Sequence, residues 1–150
     1  MATKADFNAE EWSTIAEAPL LAGMHVATAD RGGTLRESLA MGKVYAQARQ
    51  EHGDSELLDE LVASPPAMNP NKLRAIGDVA TAARTRLGEA RGILEAKATP
   101  EELDAYRRFV TSLARAAAEA RKEGGFAGIG GTPVSEAEQA ALDEIQATLG

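Results

Sequence analysis

The spacing of the apolar residues is the feature of this sequence that most limits its fold. Apolar side chains recur every three or four positions along most of the chain, and no stretch alternates polar with β-branched residues as a half-buried strand does. This spacing places apolar side chains on one face of successive α-helices. We therefore predict an all-α protein, a bundle of five to six helices in a single domain spanning residues 1–150.

Four capping boxes mark the starts of predicted helices. In a capping box, a side chain just before the helix accepts a hydrogen bond from an amide three residues on, and a glutamate there returns the bond. The four pairs are Asn8 with Glu11, Thr34 with Glu37, Thr99 with Glu102, and Ser135 with Glu138. A shorter helix is expected after Asp54 or Ser55 and ends before residues 65–66, both proline.

The first predicted helix contains a proline. Pro19 lies about three turns in, where its ring removes a backbone donor, so the helix either kinks there or restarts with Pro19 near its first position. The same stretch, residues 18–29, is the most apolar part of the chain. Its 12 residues are too few to cross a bilayer, which takes about 20, so we expect a buried helix and no membrane insertion.

Two long helices are predicted in the middle of the chain. Apolar residues follow a heptad pattern after Asn69-Pro70, at Leu73, Ile76, Ala80, Ala83, Leu87, Ala90 and Leu94. The next helix starts at Thr99-Pro100 and repeats at Leu103, Tyr106, Val110, Leu113, Ala117 and Ala120. We expect a long central antiparallel hairpin over residues 73–120. Its alanine-rich faces bury little area per residue, so the other helices must cover it.

Composition and charge narrow the functional classes. The chain is 44% hydrophobic and 26% charged, as in a folded domain, and it has no cysteine and therefore no disulfide or thiol nucleophile. Sixteen basic and 23 acidic residues give a net charge of -7, which disfavours non-specific binding of nucleic acid. The N-terminal residues do not resemble a signal peptide, and we expect a cytoplasmic protein.

The sequence shows no catalytic motif. Its two histidines, His25 and His52, lack the Glu-x-x-His and His-Glu-x-x-His spacings of metal sites, and neither a P-loop nor a nucleophile elbow is present. His25 lies on an apolar helix, which favours a core histidine bonded to a backbone carbonyl. His52 is expected near a helix end, where its charge suits the helix dipole. We predict no catalytic residues and no enzymatic activity.

Arginines form a candidate binding face on the two long helices. Arg84 and Arg91 lie seven residues apart, and Arg107, Arg108, Arg115 and Arg121 follow on the next helix. Together they could bind an anion or a protein partner. The alternative is ordinary pairing on the surface, because Glu95 follows Arg91 by four residues and Glu119 follows Arg115 by four.

A glycine-rich stretch over residues 124–131 contains Phe126 and Ile129. It is not expected to bind phosphate, because it follows a helix, lacks a lysine and precedes an acidic helix. Phe126 and Ile129 are expected either to pack into the bundle or to form an exposed docking knob for a partner.

Two segments share the order helix, glycine turn, capped acidic helix. The first contains Ala29-Asp30-Arg31-Gly32-Gly33-Thr34-Leu35-Arg36-Glu37, and the second ends in Val134-Ser135-Glu136-Ala137-Glu138. This arrangement resembles the TerB-like family of tellurite-resistance proteins, which are all-helical and carry two such helix pairs. The resemblance implies a bacterial stress response and a divalent metal near Asp30 and Glu37, the positions that match the family's turn.

Three functional hypotheses follow. The first is a non-enzymatic interaction or adaptor module, which binds a protein partner or associates with itself. The second is a protein that binds a divalent metal through Asp30 and Glu37. The third is a carrier of a lipid or other small ligand, with a cavity at the Pro19 kink beside Met24 and Met41.

Overall fold

A computed structural model describes residues 4–29, 34–51, 56–63, 77–123 and 136–149 of the chain. Every regular element in these ranges is helical, which confirms the predicted fold class. After a 3₁₀ turn at Lys4–Asp6, the α-helices are α1 Ala9–Ala29, α2 Thr34–Gln50, α3 Glu56–Ala63, α4 Val79–Lys97, α5 Pro100–Glu123 and α6 Glu136–Leu149. Over the described part of the chain, no helix combines the length and apolar character that crossing a membrane requires.

Helix α1 lies at the centre of the bundle. It packs most extensively against α4 and α5, and α6 covers the same three helices from one side. Its buried residues point in several directions and are mostly small or branched: Ile15, Ala16, Ala18, Leu21, Ala22 and Val26. Helices α2 and α3 complete the bundle on the far side of α5.

The contact between α4 and α5 is smaller than the predicted hairpin implies. The two helices are joined by a short turn at Ala98 and Thr99, as expected, but they approach each other closely at far fewer positions than either approaches α1. The alanine-rich faces of both helices are therefore covered mainly by α1. The stripe predicted on α4 is buried at Ala83, Leu87, Ala90 and Leu94.

Two of the predicted capping boxes form as expected. The amide of Asn8 donates to Glu11 Oε1 at 3.0 Å and the amide of Glu11 donates to Asn8 Oδ1 at 2.8 Å. Thr99 and Glu102 exchange the same pair of bonds, each at 3.2 Å. The boxes at Thr34 and Ser135, and the start near residues 54–55, fall on residues or side chains outside the described set.

The start of α4 differs from the prediction. A continuous helix from Leu73 is wrong, because Gly77 has a φ of 73° and Asp78 is extended, with φ -75° and ψ 113°, just before the helix begins at Val79. The left-handed conformation of Gly77 ends any helix before it. The hydroxyl of Thr81 donates to Asp78 Oδ2 at 2.6 Å, and this bond is the main reason that the pKa of Asp78 is lowered.

Helix α1 runs unbroken through Pro19, so it does not restart there. Pro19 has no N–H to donate to the carbonyl four residues earlier, which belongs to Ile15. The buried hydroxyl of Tyr106, on α5, donates to that carbonyl at 2.8 Å. Tyr106 thus supplies from a neighbouring helix the hydrogen bond that proline removes from α1.

The N-terminal turn is attached to the end of α4 through Lys97. Its ammonium group donates to the carbonyl of Asp6 at 3.2 Å and to Glu11 Oε1 at 2.7 Å, and lies 5.7 Å from the centre of the Phe7 ring. The bond from Lys97, followed by that from the Asn8 amide, lowers the pKa of Glu11. These contacts join the start of α1 to the end of α4.

Candidate functional site

A groove between α2, α3 and α5 is a concave feature lined by described residues. Its volume is about 490 Å³. The apolar side chains that line it come from all three helices: Val44, Ala48, Leu58, Ala105, Phe109 and Ala116. Polar and charged side chains complete the lining: Gln47, Glu51, Asp59, Arg108, Ser112 and Arg115.

Helical periodicity on α5 forms one wall of the groove. Ala105, Phe109, Ser112 and Ala116 are spaced by four, three and four residues, so they share one face of the helix. From the first to the last of them the helix rises about 16 Å, or roughly three turns. Most of these side chains are small. The groove is consequently open along its length, with Phe109, which is 5% exposed, at its floor.

The two walls carry opposite charges. Arg108 and Arg115 lie on the α5 wall, and Glu51 and Asp59 lie on the wall made by α2 and α3. Arg108 makes an ion pair with Asp104 of the same helix, with Nε and Oδ2 3.5 Å apart and both side chains mostly exposed. On the opposite wall, Gln47 donates to Glu51 at 3.0 Å.

Next to Phe109 at the groove floor lies a buried tyrosine, Tyr45. The ring of Tyr45 packs edge-on against Phe109, with the ring centres 5.2 Å apart. Its hydroxyl is buried and makes no hydrogen bond within the described residues. Burial raises the pKa of Tyr45, and burial together with the nearby Tyr45 raises the pKa of Tyr106. Both tyrosines are therefore neutral at physiological pH.

A polar cluster on the other side of the bundle holds α6. His25 Nε2 lies 3.0 Å from Glu144 Oε2, and Arg84 donates to the other carboxylate oxygen. The bonds from His25 and then Arg84 lower the pKa of Glu144. His25 is on an apolar helix and largely buried, as predicted. Its Nε2 faces a carboxylate of α6, and the bond of His25 to a backbone carbonyl stays a prediction.

Two further arginines hold the C-terminal end of α6. Arg91 donates to the carbonyl of Thr148 at 3.4 Å and to Glu95 Oε1 at 2.8 Å, the pair expected from their spacing. Arg107 donates to the carbonyl of Leu149 at 2.9 Å. The last carbonyls of a helix lack partners within it and carry a partial negative charge, so two cations there stabilise α6.

The arginines of the predicted binding face thus separate into two groups. Arg84, Arg91 and Arg107 contact α6 of the same chain, whereas Arg108 and Arg115 line the groove. A role of Arg84 and Arg91 in binding a partner stays a prediction. Both arginines form hydrogen bonds to α6, Arg84 to the carboxylate of Glu144 and Arg91 to the carbonyl of Thr148.

The remaining predicted site residues lie outside the described set. Asp30, Phe126 and Ile129 are not described, and neither is the side chain of Glu37. Metal binding at Asp30 and Glu37 and docking through Phe126 and Ile129 therefore stay predictions. Within the described residues, no three His, Asp or Glu side chains converge as a metal site.

The cavity suggested beside Met24 and Met41 stays a prediction, and Met41 packs closely against Gly23. A Cβ added to Gly23 would collide with the sulfur of Met41, and the Met41 Cγ would lie at 3.3 Å. Met41 is 6% exposed. The glycine lets α1 and α2 approach closely at this point.

Sequence reasoning did not identify the groove as a site. Its lining comes from three helices, two of which are about 50 residues from the third in the chain, and three of its twelve lining residues are alanines, which carry no chemical signal. The available signal was the four-three-four spacing of Ala105, Phe109, Ser112 and Ala116 on one face of α5, next to two arginines seven residues apart.

Comparison of the chain with models of protein families, with curated proteins and with solved structures finds no match. The resemblance to the TerB-like family stays a prediction from the two segments described above.

Proposed function

We propose that this chain is a non-enzymatic interaction module that binds a helix of a partner protein in the groove between α2, α3 and α5. The observation that carries the proposal is the shape and lining of the groove. It has an apolar floor, small side chains along about three helical turns of α5, and charged residues on both walls. This is the arrangement by which helices dock into grooves, with apolar contacts at the centre and polar groups at the rim.

The other parts of the proposal come from the sequence alone. The cytoplasm as the location and a bacterial stress response as the setting rest on the sequence features and on the resemblance to the TerB-like family. Self-association, in which a second copy supplies the helix, is the alternative form of the same function.

The proposal can be tested by photo-crosslinking in the native cells. A benzophenone amino acid replaces Ser112, an exposed residue in the groove, or Thr85, an exposed residue on α4 that is not among the groove residues. We expect a discrete protein adduct from position 112 and none of the same mass from position 85.

Blocking the groove supplies the control for this experiment. Ala116→Trp fills the groove, and Ala96→Trp places the same ring on an exposed part of α4. Adducts from position 112 should be lost with the first change and kept with the second. Identical adducts from both crosslinker positions, or adducts insensitive to Ala116→Trp, would show that the groove is not the binding surface. Circular dichroism confirms that each variant is folded.

The carrier hypothesis is the second candidate, now placed in the same groove. A volume of about 490 Å³ falls in the range of small-ligand pockets. Native mass spectrometry of the purified protein tests this candidate: a bound small molecule that disappears in Ala116→Trp supports it, and an unliganded mass in both proteins argues against it.

A further inference from the structure

The two walls of the groove distinguish between possible partner helices. Arg108 and Arg115 are seven residues apart, so they lie on the same flank of α5 and about 10.5 Å apart along its axis. Two carboxylates seven residues apart on another helix have the same separation. A partner helix that lies along α5 can therefore place one carboxylate beside each guanidinium group.

The arginine nearest the start of the groove is accessible to such a partner. Arg108 is 74% exposed, and its contact with Asp104 is a 3.5 Å pair between two exposed side chains. Exposed pairs of this kind contribute little, so exchanging Asp104 for a carboxylate of the partner costs little. A guanidinium group can also bind a carboxylate through two parallel hydrogen bonds, which a single contact from Asp104 leaves available.

The acidic wall of the groove determines which charge is favoured on the other flank of a partner helix. Glu51 and Asp59 repel a partner that is acidic on both flanks and attract a basic residue on that side. They also disfavour nucleic acid, whose phosphates would lie beside them. Between the walls, Ala48, Ala105 and Ala116 leave room for the larger apolar side chains of a docked helix.

We infer that the groove selects an amphipathic helix with two acidic residues seven positions apart on the flank facing Arg108 and Arg115, and with basic residues on the flank facing Glu51 and Asp59. This inference rests on the proposed function and adds the chemistry of the partner. Its occupant is a foreign protein helix, recognised by the register of its charges.

Three labelled peptides of about 18 residues, long enough to form a helix, test this inference by fluorescence anisotropy with the full chain. The first has a leucine stripe, glutamates seven apart on one flank and lysines on the other. The second exchanges the glutamates and lysines. The third keeps the composition of the first but spaces its glutamates five apart, on different sides of the helix.

We expect the first peptide to bind about tenfold more tightly than the second or the third at low salt, because two exposed ion pairs replace two repulsive contacts. This preference should shrink as salt is added. In the double variant Arg108→Glu with Arg115→Glu, the order of the first two peptides should reverse. The variant Arg108→Lys with Arg115→Lys keeps the charge and should keep the order.

Asp104→Asn provides a sharper test, because it frees Arg108 from its internal partner. The first peptide should then bind more tightly, whereas the second should not. Equal affinities of all three peptides, still abolished by Ala116→Trp, would overturn the charge selection and leave the proposed function intact. Absence of binding by every peptide also overturns the inference, while the crosslinking experiment decides the proposed function separately. A dimer in sedimentation that is lost in the Arg108→Glu, Arg115→Glu variant would identify a second copy as the occupant and overturn the inference as well.

Discussion

Helix α5 packs against α1 and against α2, and a buried tyrosine hydroxyl lies at each of these two contacts. One of the hydroxyls is hydrogen-bonded, whereas the other has no partner within the described residues. On the α1 side, Tyr106 donates its hydrogen bond to the carbonyl of Ile15, which Pro19 leaves without a helical donor. On the α2 side, the hydroxyl of Tyr45 is buried and has no partner within the described residues. Both rings are almost fully covered, so neither hydroxyl can rely on bulk water.

The two contacts therefore differ in how completely their buried polar groups are paired within the described residues. Buried polar groups in proteins are nearly always paired, and an unpaired one costs about 1 to 3 kcal/mol. The α1–α5 contact follows that rule and the α2–α5 contact departs from it. Departures from local optima concentrate at functional surfaces, and the groove lies on the contact that departs. The unpaired hydroxyl and the groove thus lie at the same contact between helices.

The largest effect is expected at Tyr106. Tyr106→Phe removes the hydrogen bond and leaves the carbonyl of Ile15 with neither a proline N–H nor a hydroxyl donor. We expect a loss of about 2 kcal/mol in the free energy of unfolding, measured by urea denaturation with an unchanged m-value. A loss near zero would mean that the carbonyl finds another donor and that the α1–α5 contact is not distinguished by its pairing.

A double-mutant cycle with Pro19→Ala tests the cause of that loss. Alanine restores an N–H that can donate to Ile15, so Tyr106→Phe should cost about 1 kcal/mol less in the Pro19→Ala background than in the native sequence. The absolute effect of Pro19→Ala does not enter the comparison, because the cycle measures the coupling alone. If the two changes are additive, Tyr106 does not compensate for the proline.

The opposite sign is expected at Tyr45. Tyr45→Phe keeps the ring that packs on Phe109 and removes the hydroxyl that has no partner. The free energy of unfolding should rise by about 1 kcal/mol, again measured in urea. Destabilisation would show that the hydroxyl has a partner in solution, such as an ordered water, and would remove the contrast between the two contacts. The change should also leave peptide binding intact, since the hydroxyl is buried.

The sequence predicted those features of the fold that depend on local spacing. The fold class followed from the three-to-four periodicity, and the capping boxes at Asn8 and Thr99 formed because all their atoms lie within one helical turn. The buried stripe of α4 followed for the same reason. The start of α4 was misplaced because the heptad pattern continues across Gly77, whose backbone conformation a pattern of apolar residues does not reveal.

Features that join distant segments were not predicted. Tyr106 and Ile15 are 91 residues apart in the chain, and His25 and Glu144 are 119 apart, so no local motif links them. The neighbours Arg107 and Arg108 show why the groove was missed. Arg107 bonds to the end of α6, whereas Arg108 lines the groove, because adjacent residues point about 100° apart around a helix. Their separation becomes visible only when the neighbouring helices are in place.

The smallest expected effect concerns α6. A partly exposed polar cluster joins α6 to the bundle, in contrast to the buried hydrogen bond that Tyr106 makes to α1. The hydrogen bond from His25, and then that from Arg84, hold the pKa of Glu144 below its ordinary value of 4.5. A carboxyl group with a lowered pKa in the folded state adds stability that is fully present above its unfolded pKa and is lost as the pH falls through the folded one. Glu144 should therefore contribute fully at neutral pH, and its contribution should decline as the pH falls below about 4.5 and end below the lowered pKa.

Glu144→Gln isolates this contribution. We expect the variant to be less stable than the native chain by about 0.5 kcal/mol at neutral pH, a small effect because the side chain is 32% exposed. The difference should disappear in acid, once the pH lies below the lowered pKa of Glu144. Asp143→Asn is the matched control, since Asp143 accepts a hydrogen bond from Gln139 within α6 and does not join α6 to another helix through that bond. Thermal unfolding at several pH values measures both variants. The interpretation would be contradicted if the stability difference between Glu144→Gln and the native chain stayed constant across the pH range, or if Asp143→Asn changed stability equally. Either result would mean that the charge of Glu144 does not hold α6 to the bundle. The bonds from Arg91 and Arg107 and the apolar face of α6 would then be sufficient to hold it.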